Sequence, residues 1–183
     1  LMALFCMIPE GAVIDWSALY LRQELGASIT ASGFAFAAFS LTMAIMRFAG
    51  DLVRDRFGAV RTLRVCAVIS VIGLVTAGFA ETGTIAILGF ALAGIGISNL
   101  VPIVFSAAGN LPGLRPGVGL SVVTTMGYSG ILLAPSAIGF IAEYSGLAII
   151  FAALSILHLV VLLLSPLARH ADGVRHEQDG KPG

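Results

Sequence analysis

Apolar residues gather into six runs along the chain, at approximately 1–21, 30–50, 62–80, 84–107, 117–141 and 147–166. A bilayer core about 30 Å thick needs roughly 20 apolar residues at about 1.5 Å of helical rise each. Each run therefore predicts a membrane-spanning helix. The runs are too long for strands and lack the period-2 alternation of a barrel. Polar and helix-breaking residues separate them. Glu24 and Gly26 follow the first run, and Asp51, Arg54, Asp55, Arg56 and Gly58 follow the second. Glu81–Gly83 divide the third from the fourth, and Asn110–Gly117 divide the fourth from the fifth. Glu143–Gly146 precede the sixth, and Pro166 ends it, since proline cannot continue the backbone ladder.

Composition fits that pattern. Of 183 residues, 58% are hydrophobic and 11% charged, and the mean hydropathy is +1.01. A soluble domain carries about 25% charged residues, so most of this surface is expected to face lipid. A formal net charge of zero gives no footprint for nucleic acid or an acidic partner. Cys6 and Cys66 lie in apolar runs and read as small packing residues. No disulfide or metal-ligand spacing is present, and no motif calls for a cofactor. The chain opens at Leu1, inside an apolar run and without the shape of a signal peptide. This start reads as a truncation with a further segment ahead of it.

The basic residues set the orientation. Arg47, Arg54, Arg56, Arg61 and Arg64 flank the break after the second run, Arg115 follows the fourth, and Arg169, Arg175 and Lys181 follow the sixth. With alternating helices all of these share one side, and Arg22 alone lies opposite. Lys and Arg are retained on the cytoplasmic side. The loops after spans 2 and 4 and the C-terminus are therefore expected to be cytoplasmic. Residues 1–168 read as a six-helix transmembrane bundle, and the polar stretch 169–183 as a disordered cytoplasmic tail.

The spans differ in polarity. Spans 3 and 6 are nearly all apolar and read as outer, lipid-contacting helices. Span 1 carries Glu10 and Asp15, span 4 carries Ser98, Asn99 and Ser106 around Pro102, and span 5 carries Thr124, Thr125 and Tyr128. Polar groups at membrane depth face protein or a water-filled cavity, so spans 1, 4 and 5 are expected to face inward.

The break after span 2 reads Arg47-Phe-Ala-Gly50-Asp51-Leu-Val-Arg54-Asp55-Arg56-Phe57-Gly58, then Arg61. It resembles the loop motif of the major facilitator superfamily, although the acids sit second and sixth counting Gly50 as first. Further likeness lies in Glu10-Gly-Ala-Val-Ile-Asp15-Trp16-Ser17, in Gly94-Ile-Gly96-Ile-Ser98-Asn99-Leu-Val-Pro102 and in Gly127-Tyr128-Ser129-Gly130. These stretches suggest the branch of fucose permease-like and uncharacterised inner-membrane transporters. The resemblance implies an all-α membrane protein of twelve helices in two halves, of which this chain is the C-terminal six-helix half. It implies alternating access of a small-molecule substrate to a central site, proton coupling, and a missing N-terminal half as partner in the inner membrane.

Candidate residues follow. Glu10 lies near mid-span, where an ionised carboxylate costs about 2.5–3.5 kcal/mol on insertion scales. It is suited to carrying a proton or pairing with a cationic or hydroxylated substrate; the plain alternative is a packing contact with another helix. Asp15 lies five residues on, turned by about 140°, and either lines the outer mouth or pairs with the absent half. Asn99 can donate and accept for a hydroxylated solute or glue two helices together. Thr124 and Tyr128 are further candidates. Arg47, Gly50, Asp51, Asp55, Arg56, Gly58 and Arg61 form an expected gating loop. In it an Asp meets the positive N-terminus of span 5, with Arg47 one turn from Asp51 and placed to pair with it.

Two other functions fit less well. Gly96-Ile97-Ser98-Asn99 with His158 is similar to an intramembrane serine protease, but Asn99 stands where that class has Gly, and no Gly follows His158 closely. That chemistry needs a Ser–His pair at one depth. A transporter-like sensor without net transport is the third reading.

Overall fold

The computed structural model describes residues 1–115 and 117–172. These form α1 (Met2–Gln23), α2 (Ile29–Phe57), α3 (Ala59–Gly78), α4 (Gly83–Ile97), α5 (Leu100–Gly109), α6 (Val118–Ser145) and α7 (Leu147–Leu163), then a 3-10 helix, Ser165–Asp172. Helices α4 and α5 together make one span, Gly83–Gly109, and the 3-10 helix bends away from α7 by 57°. Among the described residues the apolar runs thus become five spans, and a sixth where α7 and the bent 3-10 helix count as one, an all-α membrane fold.

Helix ends depart from the ends of the apolar runs. Helix α2 continues to Phe57, so the expected loop after span 2 is helical up to Gly58. Charge ends an apolar run, but a helix satisfies its own backbone whatever its side chains face. Gly58, at φ 80° and ψ 158°, turns the chain directly from α2 into α3. Gly146, at φ 80° and ψ 161°, does the same between α6 and α7. That region of backbone space is open essentially to glycine alone.

Glutamate and aspartate side chains from distant segments cap both following helices. Asp172 accepts from the Ala59 N–H at 2.9 and 3.2 Å, and Glu24 accepts from the N–H groups of Leu147 and Ala148. Each carboxylate satisfies orphan donors at a positive helix terminus. Ser28 and Thr82 cap α2 and α4 through their hydroxyls.

Small residues hold the helices together. A methyl on Gly73, Gly89 or Gly96 would strike the facing backbone across the α3–α4 seam, and one on Gly94 would strike Phe39 and Thr42 of α2. Such close approach replaces the hydrophobic driving force that lipid removes. Thr42 Oγ1 donates to Ala91 O at 2.8 Å across the α2–α4 seam. Of the five unbroken spans, the one made by α4 and α5 is the most enclosed, and α2 and α6 are the least.

The expected outer helices have two-sided character. Val65, Val68 and Ile72 of α3 and Ile156, Leu159 and Leu163 of α7 are exposed. The opposite faces are buried, with Ser70 and His158 sharing a 2.6 Å hydrogen bond between the helices. Span 5, expected to face inward, packs on α1 at Gly127 and Gly130 but exposes Leu132, Phe140 and Tyr144. Tyr20 of α1 is buried against Phe90 and Phe151 and donates to Ala77 O at 2.8 Å.

The boundary expected at 168/169 is also shifted. Arg169–Asp172 belong to the 3-10 helix, held because Asp172 docks on α3 and Arg54 bonds Ala171 O. The remainder of the predicted tail, 173–183, lies outside the described residues.

Candidate functional site

Pro102 is the place to begin. A proline nitrogen has no proton to donate to the carbonyl four residues earlier, which here belongs to Ser98. The predicted fourth span breaks there, α4 ending at Ile97 and α5 beginning at Leu100. The orphaned Ser98 carbonyl is a buried acceptor that needs a donor. Arg47 of α2 supplies it, through Nε at 3.4 Å.

The same guanidinium reaches α1. Arg47 Nη2 lies 2.7 Å from Glu10 Oε1. Glu10 is 16% exposed and Arg47 42%, so the pair opens on one side only. The expected Arg47–Asp51 pair is therefore corrected: Arg47 sits within the span, about 15 Å by helical rise before the end of α2, and its partner is Glu10. An ion pair at membrane depth offsets the penalty of both charges.

Asn99 joins from the break. Its Nδ2 donates to Met46 O at 3.3 Å and to Ser98 Oγ at 3.1 Å. A methyl on Gly50 would overlap the Asn99 amide oxygen. The amide thus ties the α4–α5 break to α2, the interhelical role weighed against solute binding. Gly50 leaves the expected loop and becomes the seat of that contact. Three spans converge here on one donor–acceptor set: a carboxylate, a guanidinium and a broken-helix carbonyl. Met43, Ala44 and Phe48 of α2 line an open apolar recess of about 320 Å³ beside Arg47.

The other candidates lie apart. Asp15 stands at the α1–α6 seam with Gly11, Ile131 and Pro135, on a different face of α1 from Glu10. Tyr128 is exposed on α6 and Thr124 partly buried. Among the described residues no hydrogen bond joins Asp15, Thr124 or Tyr128 to the Glu10–Arg47 pair.

Of the expected gating loop, Asp51, Asp55 and Arg56 are exposed on the last turns of α2, Gly58 is the link, and Arg61 lies in the first turn of α3. Gly117, the N-cap residue of α6, has no side chain with which to cap that helix. On this end Asp172 is a carboxylate at a helix start, that of α3. Arg54 gathers that end together: Nε lies 3.6 Å from Asp172 Oδ1, and Nη2 donates to Ser106 Oγ at 3.1 Å and to Ala171 O. Sequence reasoning did not single out Arg54 or Asp172, because their meeting spans most of the chain. The Ser98 carbonyl carried a readable signal, namely proline four residues on. Ser98 Oγ donates to Ile95 O and His158 Nδ1 pairs with Ser70, so the Ser98–His158 dyad of the protease reading does not form.

The sequence matches the family model described as Major Facilitator Superfamily over residues 1–182. An uncharacterized MFS-type transporter of Yersinia pestis is 38% identical over 154 residues, covering 84% of this chain and 40% of that protein. Membrane protein MosC of Rhizobium meliloti is 36% identical over 147 residues, 80% of this chain and 36% of its own length. The uncharacterized transporter y4wD of Sinorhizobium fredii is 28% identical over 169 residues, 92% of this chain and 45% of its own length. The chain spans less than half the length of each of these relatives.

Proposed function

This chain belongs to the major facilitator superfamily, and from that premise we propose that it forms part of a proton-coupled secondary transporter in which the Glu10–Arg47 pair is the coupling element. It is a multi-pass membrane protein of a transporter family, its fold one six-helix half of a twelve-helix transporter. The observation that carries the finer reading is the 2.7 Å contact between a carboxylate on α1 and a guanidinium on α2, both within spans.

A proton and Arg47 compete for the same carboxylate. With Glu10 ionised, the pair closes α1 onto α2. With Glu10 protonated, the ion pair loses its charge on one side, and Arg47, still held by Ser98 O, turns its remaining N–H donors to a small solute in the recess. Helices α1 and α2 are then free to move apart, and the solute crosses by alternating access between this half and a preceding six-helix half. The Arg54–Asp172 end is cytoplasmic by the distribution of basic residues, and the bilayer is an inner membrane by the resemblance to inner-membrane transporters. Closure at that end belongs to the charged turns of α2, with Asp51 or Asp55 meeting the start of α6 in another state of the cycle.

The test is transport into vesicles containing the full-length protein, driven by an imposed pH gradient. Glu10→Gln is expected to insert normally, lose gradient-driven accumulation and keep pH-independent exchange of solute. Wild-type accumulation with unchanged pH dependence would make Glu10 structural only.

A further inference from the structure

A second feature lies on the lipid-facing side, between α2 and α3. Gly58 starts the two helices side by side at the cytoplasmic end, yet each then packs on α4, α2 through Thr42 and Gly94 and α3 through Gly73 and Gly96. They therefore diverge, leaving a cleft of about 480 Å³ whose lining includes Ile95 of α4. Phe57, Val65 and Ile69 line its walls, with Arg61 and Arg64 toward the Gly58 end. From Arg61 to Ile69 the cleft descends about 12 Å by helical rise, most of a leaflet about 15 Å thick.

From this we infer that the α2–α3 cleft binds one anionic phospholipid, its phosphate on Arg61 and Arg64 and an acyl chain between Phe57, Val65 and Ile69. Arginine side chains at such a depth run along apolar surface and bring their heads to the headgroup level. Arg64 is already oriented, donating through Nε to Ser165 Oγ at 2.7 Å, which leaves its terminal N–H groups for a phosphate oxygen. Among the described residues lining the cleft there is no carboxylate to compete. Basic pockets between spans on the cytoplasmic side suit anionic headgroups, and the apolar slot sets a chain-bearing lipid apart from a free phosphate.

The experiment is native mass spectrometry of the full-length protein in detergent, titrated separately with phosphatidylglycerol and phosphatidylcholine of equal chain length. Wild type is expected to hold phosphatidylglycerol more tightly. Arg61→Gln with Arg64→Gln should lower that affinity about 30-fold, from about fivefold for each charge, and leave phosphatidylcholine unchanged. Arg61→Lys with Arg64→Lys should retain most of the preference, which keeps the test decisive if the Gln protein fails to fold. Ile69→Trp fills the slot and should weaken both lipids. Equal binding of the two lipids by wild type, wild-type affinity in the Gln or Trp protein, or displacement by chainless glycerophosphoglycerol would each overturn the assignment.

Discussion

Removing either member of the Glu10–Arg47 pair leaves the other charge without its partner, but the two losses are unequal. Arg47→Gln strands Glu10, the less exposed partner, and also takes the donor from the Ser98 carbonyl. Breaking a fully buried pair costs about 3–5 kcal/mol and an exposed one about 0–1 kcal/mol, so a pair open on one side falls near 2 kcal/mol. An unsatisfied buried carbonyl adds about 1–3 kcal/mol. The expected loss is thus about 3–5 kcal/mol for Arg47→Gln. For Glu10→Gln it is about 1–2 kcal/mol, because Arg47 keeps Ser98 O and has an open side. Pro102→Ala returns a backbone N–H to the position facing Ser98 O. It should recover about 1–2 kcal/mol in the Arg47→Gln background and less beside an intact Arg47. Equilibrium unfolding of the full-length protein in mixed detergent micelles measures all four variants. If Arg47→Gln proved no worse than Glu10→Gln, or if Pro102→Ala shifted both backgrounds equally, the account of the broken span as an arginine-satisfied carbonyl would be wrong.

Other outcomes follow from single contacts. Gly50→Ala should destabilise by about 1–3 kcal/mol through overlap with the Asn99 amide, and Asn99→Ala should relieve most of it; additive losses in the double mutant would refute the contact. Ser70→Ala removes the partner of buried His158 Nδ1 and should cost about 1–3 kcal/mol, while Ser70→Ala with His158→Phe should recover stability in the same unfolding assay. Asp172→Ala should lower stability by about 0.5–2 kcal/mol through loss of the α3 cap, and should raise proteolysis and amide exchange at the Gly58 end of α3. Unchanged exchange there would mean that the 3-10 helix does not hold that end.

The hydrophobic pattern by itself determined that this chain spans a membrane, how many times, and which end gathers the positive charge. Those properties depend on lengths of apolar sequence and on where arginines interrupt them, both written locally. It also marked Glu10 and Asn99, since a polar residue amid some twenty apolar ones is visible without coordinates. The turn of about 140° between Glu10 and Asp15 likewise follows from helical geometry alone, and the two do lie on different faces of α1.

Partners were a different matter. Arg47 has a carboxylate one turn away in sequence and another on a neighbouring helix, and only the crossing of α1 with α2 chose Glu10. Polar residues past the end of an apolar run read as loop, yet α2 continued to Phe57 because backbone hydrogen bonds do not depend on side-chain polarity. Asp172 became a cap for α3 because the chain bends by 57° after the last span and folds back under the bundle. Sequence specifies where charge must be accommodated in hydrocarbon. Which opposite charge accommodates it is decided by the approach of helices at small residues, and that approach exists only in the folded bundle.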